Sequence, residues 1–421
     1  MSASVEPLPF DRAWSVLLGA CLCMFCGTPA VVFYTFGVFL PEIISDTGWA
    51  AASVAAAIGP GALLVALAAP IVGRMSDRWG VRPMAIVGGI AFGAGIALLG
   101  VVPQSSGAFI ALTMLMYLLA FAATPIVYAH AMTQWFDRRR GMAIGLIFAS
   151  GALGIAIWPN YAAFLIAAIG WRMAYVVMGM TAGIVILLAG LFLLRSPPRD
   201  VAATSYEGVA AGMTVAGALR TGTFWKIALV FTILSAVLGG TAVHFPVLLR
   251  QQGADAQGAA AIMSVIGISM LVGRLLLGLL LDRFFAPYLT ICIAIVSIAA
   301  FALLMSGAGG LVLVLAAGLL GFGLGSEYAE VAYVVSRAFG YRAFGAIYGL
   351  VTLATGIGLA VGPAVLGVLL VSGVGTGPIF LAAIVLLVVP IMVLLTIRES
   401  DLPFGSAAKG KGEEPAKLLP A

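Results

Sequence analysis

The sequence predicts an all-α membrane protein of twelve transmembrane helices in two pseudo-symmetric six-helix halves. Three observations predict it. Of the 421 residues, 63% are hydrophobic and only 9% are charged, whereas soluble domains run near half apolar and a quarter charged. No water-soluble fold hides that much apolar surface, so lipid must be the solvent. Apolar runs long enough to cross a ~30 Å hydrocarbon core, about twenty residues each, recur along the whole chain. Residues of the first half also reappear in the second at nearly one offset.

The twelve runs fall at 14–40, 51–72, 84–102, 107–133, 141–165, 172–194, 223–249, 258–281, 288–306, 311–337, 344–370 and 377–397. The segment 1–13 has no basic n-region and no small-residue cleavage site, so the first run reads as a retained span. The stretch 195–222 carries SPPRD and a polar, small-residue run. It reads as the linker between a first half at 14–194 and a second at 223–397. The polar tail 398–421 reads as disordered. The 53 glycines suit helices whose backbones approach closely in lipid. Cys21, Cys23, Cys26 and Cys292 lie in apolar runs without the spacing or histidine partners of a zinc site. They read as packing residues, and neither a metal nor a cofactor is expected.

Basic residues set the orientation. With the N-terminus inside, 18 of the 21 Lys and Arg fall on the cytoplasmic side; only Arg172 and Arg250 fall outside, and Arg274 lies within a span. Both termini are therefore expected in the cytoplasm of a cell carrying this chain in its plasma or inner membrane. The same asymmetry accounts for the net charge of +5 without a nucleic-acid partner.

Gly73, Asp77 and Arg78 recur as Gly278, Asp282 and Arg283; Gly141, Gly145, Gly154 and Pro159 recur as Gly345, Gly349, Gly358 and Pro363. Parallel six-span repeats place a substrate path between the halves, near the midplane.

These residues carry a resemblance. GRMSDRWGVRP (73–83) resembles the loop signature of the major facilitator superfamily, and GLLLDRF (278–284) is its degenerate copy in the second half. QWFDRRRGMAIGLIFASGALG (134–154) resembles the fifth-span signature of the monocarboxylate transporter group, which includes bacterial oxalate/formate antiporter relatives. VFYTFGVFLPEI (32–43) and GWR (170–172) are similar to that group too. The resemblance implies the major facilitator fold, a monomer working by alternating access, and a conformational latch. The latch residues are Gly73, Arg74, Asp77, Arg78, Gly80, Arg138, Arg139, Asp282 and Arg283, with Arg82 in the same basic cluster around Asp77. The sequence also departs from the group. Animal members carry a span-one lysine that aligns near Tyr34, and an aspartate at the position of Met270. The oxalate relatives use a span-eleven lysine, and 344–370 has no Lys or Arg.

Ionisable groups within spans are costly and mark function. Arg274 lies eight residues before Asp282, roughly 12 Å from the cytoplasmic edge. Glu327 and Glu330 lie roughly 15 and 10 Å deep, three residues apart on one helix face. One arginine binds a carboxylate through its planar fork and keeps its charge, so Arg274 is expected to hold a small organic anion, a monocarboxylate. With the site empty a glutamate is expected to pair with Arg274; when substrate takes the arginine, the displaced carboxylate takes up a proton. Glu327 and Glu330 are thus the expected proton-coupling residues. Tyr34, Tyr117, Tyr128, His130, Asn160, His244 and Tyr333 are candidate polar contacts to substrate. The alternatives are drug or other solute efflux by proton antiport, and organic-anion exchange. An enzyme lacks a catalytic constellation here, a channel lacks a continuous polar lining, and no GxxxxGK[ST] motif supports ATP drive.

Overall fold

The computed structural model describes residues 10–50, 54, 58–102, 105–136, 139–195, 212–251, 256–307 and 309–402. The expected linker 195–222 lies outside the described residues between 196 and 211. The same holds for the tail beyond 402, residues 1–9 of the N-terminal segment, and Arg138.

Among the described residues nine helices are long and apolar enough to cross a membrane. One of them, Arg140–Leu193, holds two spans, because Gly170 at φ 77° kinks the chain within it. Span two, Ile58–Trp79, and the interrupted span four complete the twelve. The remaining spans are span three Val81–Gly100, span eight Ala256–Leu281, span nine Ala286–Met305, span ten Leu311–Phe339, span eleven Phe344–Val371 and span twelve Thr376–Leu394.

Three spans expected as continuous are interrupted. Span one runs as Phe10–Phe25, a π-helical turn Pro29–Phe33 and Phe36–Thr47, so it starts earlier and ends later than 14–40. Span four runs as Ser106–Leu119, a 3₁₀ turn and Pro125–Trp135. Proline explains both breaks: Pro29 removes an N–H, and Pro125 pushes Thr124 into extended backbone (φ −111°, ψ 151°). The two breaks meet, with Thr28 donating to the Ala123 carbonyl from its backbone N at 3.1 Å and from Oγ1 at 3.2 Å. Trp158 of span five donates to the Phe25 carbonyl at 2.9 Å. The carbonyls loosened by the breaks are thus satisfied within the half, as a non-aqueous setting requires. Span seven is the third, running as Gly222–Leu234, a π-helical turn Ser235–Gly239 and Gly240–Gln251.

Glycine contacts show how the halves meet. A Cβ on Gly141 or Gly145 of span five would strike the backbone of span eight at Gly278 and Arg274. A Cβ on Gly345 or Gly349 of span eleven would strike span two at Gly73 and Ala69. Further along, Gly154 meets span one at Phe25 and Gly358 meets span seven at Thr232, each inside its own half. The matched glycines therefore do matched work. Spans five and eleven cross to the other half at one end of the bundle and return to their own half beyond the middle. The joined end is the arginine-rich one, called the basic end below.

At the opposite end, Trp171 donates to the Asp46 carboxylate at 3.0 Å, and Arg172 lies 3.7 Å from the same oxygen. Arg172 also donates to the Val102 carbonyl at 2.9 Å. The GWR turn thereby ties spans one, three, five and six together.

Candidate functional site

Arg274 sits where span eight is squeezed between two neighbours. Gly273 beside it faces the Phe322 carbonyl and Ser326 of span ten, and the Arg274 carbonyl faces Gly145 of span five. The side chain is 6% exposed and donates from Nη1 to the Phe148 carbonyl of span five at 2.9 Å. A second-half cation thus reaches into the first half. Its charge also acts on the Tyr34 phenol, on the interrupted span one. Tyr34 itself is part-exposed. Of the candidate substrate contacts among the described residues, Tyr34 is one within range of the Arg274 charge.

Glu327 and Glu330 are buried, and their hydrogen bonds are to hydroxyls rather than to the expected Arg274. Glu327 accepts from Ser235, at the start of the span-seven π-helical turn, and Glu330 accepts from Thr290 of span nine. The same-face spacing holds, and the Glu327 charge acts on Glu330. The face they share points into the second half, whereas the Arg274 side chain reaches across to the first. This corrects the expected empty-site pairing. An arginine drawn to a span-five carbonyl and a glutamate drawn to a span-seven hydroxyl point to different neighbours.

The other candidates have contacts elsewhere. Tyr128 is fully buried beside Cys23 of span one. Tyr117 is buried with its ring against Gly61 of span two. Asn160 is exposed and donates to the Ala156 carbonyl of its own helix at 2.9 Å. The His244 Nε2 lies 2.9 Å from the Pro363 carbonyl, joining spans seven and eleven. Tyr333 is buried with its ring 5.1 Å from the Arg337 guanidinium. His130 belongs to the basic end: Nδ1 lies 2.9 Å from Ser76 Oγ and 3.7 Å from Asp77, and Nε2 lies 3.0 Å from Gln134.

Asp77 and Asp282 form matched clamps at that end. Asp77 accepts from the backbone N–H of Gly345 at 2.7 Å and of Ala346 at 2.9 Å, in the first turn of span eleven. Asp282 accepts from Gly141 at 2.7 Å and Met142 at 3.0 Å, in the first turn of span five. A carboxylate on unpaired first-turn N–H groups answers both their hydrogen-bonding need and the helix dipole. Burial pushes the Asp282 carboxyl above its ordinary range, while the amides of Met142 and Gly141 and the charges of Arg337 and Arg140 pull the other way. Arg74 adds its charge at Asp77, and Gly80 at φ 77° turns the chain into span three. Arg78, Arg139 and Arg283 are exposed around the clamps. Arg82 departs from the expected cluster and donates instead to the Leu191 carbonyl at the end of span six, at 3.3 Å.

Arg140 is not among the expected latch residues. It is 1% exposed, donates to Ser336 Oγ of span ten at 3.2 Å and lies 4.9 Å from the centre of the Tyr341 ring. It therefore joins the halves beside the Asp282 clamp. At the repeat offset Arg140 corresponds to Phe344, whose ring meets His130 across the other seam at 5.6 Å, an equivalence of place that the unlike residue types hide in the sequence.

The Major Facilitator Superfamily model matches residues 16–344. An MFS-type transporter of Escherichia coli K12, YhjX, is 25% identical over 84% of this chain and 88% of its own length. Mouse monocarboxylate transporter 11 is 27% identical over 86% of this chain and 82% of its own length. Among solved structures, the proton:xylose symporter XylE superposes with a TM-score of 0.72 at 15% identity, covering 91% of this chain and 95% of its own. The human organic anion transporter MFSD10 does so with a TM-score of 0.68 at 16% identity, covering 92% and 100%. At such identities these structures show the shared fold. With twelve helices in two halves and a matching family model over most of its length, the chain belongs to the major facilitator superfamily and is a membrane transporter, not an enzyme.

Proposed function

We propose that this transporter carries a small monocarboxylate by alternating access, coupled to protons, with the basic end in the cytoplasm. The observation that carries the substrate class is Arg274, a buried fixed cation at the junction of the halves. A guanidinium offers a carboxylate two parallel N–H donors and keeps its charge at any working pH. To bind, the substrate competes with the Phe148 carbonyl for the same donors, so occupancy at Arg274 bears directly on how spans five and eight are joined. The relatives named monocarboxylate transporters support this reading.

Coupling is assigned to Glu327, with Glu330 behind it. A buried carboxylate held by a single hydroxyl is far cheaper as the neutral acid than as the anion, so each turnover can move a proton with the monoanion. The π-helical turn that supplies Ser235 is the element whose rearrangement would free or hold that proton. The Asp77 and Asp282 clamps are the latch, holding the cytoplasmic end closed in this conformation. Positive-inside placement supports the orientation.

The test is a thermal-shift screen of the purified protein against carboxylic acids and organic cations. Stabilisation by monocarboxylates that disappears in Arg274→Ala supports the reading. Stabilisation by cations that survives in Arg274→Ala overturns it in favour of efflux.

A further inference from the structure

Arg82 is left over from the latch, and its position has a consequence at the lipid face. A surface cleft of about 450 Å³ is lined by Arg82, Leu191, Phe192 and Arg195. Arg82 starts span three and Arg195 follows the π-helical turn Ala189–Leu193 that ends span six. Both arginines are exposed; the Arg82 side chain and the Arg195 backbone are held in place. Arg82 is held by the Leu191 carbonyl at 3.3 Å, which uses one of its five N–H donors. The Arg195 carbonyl is held by Trp135 Nε1 at 3.1 Å.

The surface below the cleft is apolar and continuous. Ile184 is 53% exposed, Leu188 46% and Phe192 69%. Their spacing of four places them in one row along span six, ending at Arg195. Behind that row, spans three and six touch backbone to backbone at Gly93, Gly179 and Gly183, which fixes the two helices that carry the arginines.

We propose that this cleft is a binding site for an anionic phospholipid, its phosphate between Arg82 and Arg195 and an acyl chain along the span-six row. Two permanently charged arginines lining one cleft at a membrane surface match a phosphodiester. Exposed Leu191 and Phe192 beside the two arginines suit an amphiphile, whose acyl chain meets the apolar wall while its phosphate meets the charges; a free phosphate ion uses the charges alone. The site needs only that the basic end lies at a bilayer surface, so it stands apart from the substrate and coupling readings.

The experiment is native mass spectrometry of the full chain with added phosphatidylglycerol, phosphatidylcholine or inorganic phosphate, for the parent and for Arg82→Gln/Arg195→Gln. The parent is expected to retain phosphatidylglycerol over phosphatidylcholine. The double variant is expected to bind it roughly tenfold to thirtyfold more weakly, from the loss of two surface charges. Arg82→Lys/Arg195→Lys is expected to keep most of the binding. A photoreactive anionic phospholipid should label the end of span six in the parent, which localises the site without reliance on variants. Equal retention of both lipids, unchanged binding in the double Gln variant, or displacement of the lipid by inorganic phosphate would each overturn the proposal.

Discussion

Arg274 puts a fixed positive charge where the two halves meet, and its substitutions separate charge from geometry. Arg274→Lys keeps the charge and loses the fork. Monocarboxylate affinity in a binding titration should fall by about 1.5–3 kcal/mol, the worth of a hydrogen bond to a charged group. Glu327→Gln is isosteric and still satisfies Ser235. It is expected to keep substrate exchange between preloaded vesicles and to lose accumulation driven by a pH gradient; retained gradient-driven accumulation in both Glu327→Gln and Glu330→Gln would refute the coupling role. At this scale the sequence shows the buried charges that stand in apolar runs, Arg274, Glu327 and Glu330, but not Arg140, which stands in a basic cluster at a helix start. It does not show their partners. The Arg140 to Ser336 bond joins residues 196 apart in sequence, and His130 reads as a lone polar residue until the fold brings Ser76 and Asp77 to it. The expected Glu–Arg274 pairing failed for the same reason: equal depth along two helices says nothing about which neighbour each side chain faces.

Spans were legible from hydrophobic length, while their interruptions were not, since an apolar run looks the same whether its backbone is continuous or broken. Pro29, Pro125 and Gly170 were the available signals, and each acts through backbone geometry that a hydrophobic count ignores. The glycine matches gained a physical meaning that the sequence alone could not supply, namely contact across the seam at one end and within the half beyond the middle. That meaning has a test. At Gly145 a Cβ would lie 2.9 Å from the Arg274 carbonyl and 3.0 Å from the Gly278 Cα. Gly145→Ala is therefore expected to destabilise by about 1–3 kcal/mol and lower the thermal midpoint. At Gly151 the nearest atom is the Met24 methyl at 3.4 Å, an ordinary contact, so Gly151→Ala should leave the midpoint nearly unchanged. Equal effects at the two sites would contradict the close span five to span eight seam.

Across the whole molecule, two carboxylates each hold the first turn of a helix from the opposite half, and Arg140 adds a third tie beside one of them. Asp77→Asn and Asp282→Asn remove the charge that answers the helix dipole. The double variant should shift the population toward a form open at the basic end. A cysteine at the buried Ser336, in a background with the native cysteines replaced, reports this through faster labelling by a membrane-impermeant maleimide. Unchanged labelling would mean that the clamps do not govern closure. The central claim, a transporter that takes a monocarboxylate through Arg274, is tested most directly by uptake of radiolabelled carboxylic acids into proteoliposomes under an imposed pH gradient. The expected result is saturable accumulation of a monocarboxylate that collapses with the gradient and is lost in Arg274→Ala; accumulation of organic cations with no carboxylate uptake, undiminished in Arg274→Ala, is the result that would contradict it.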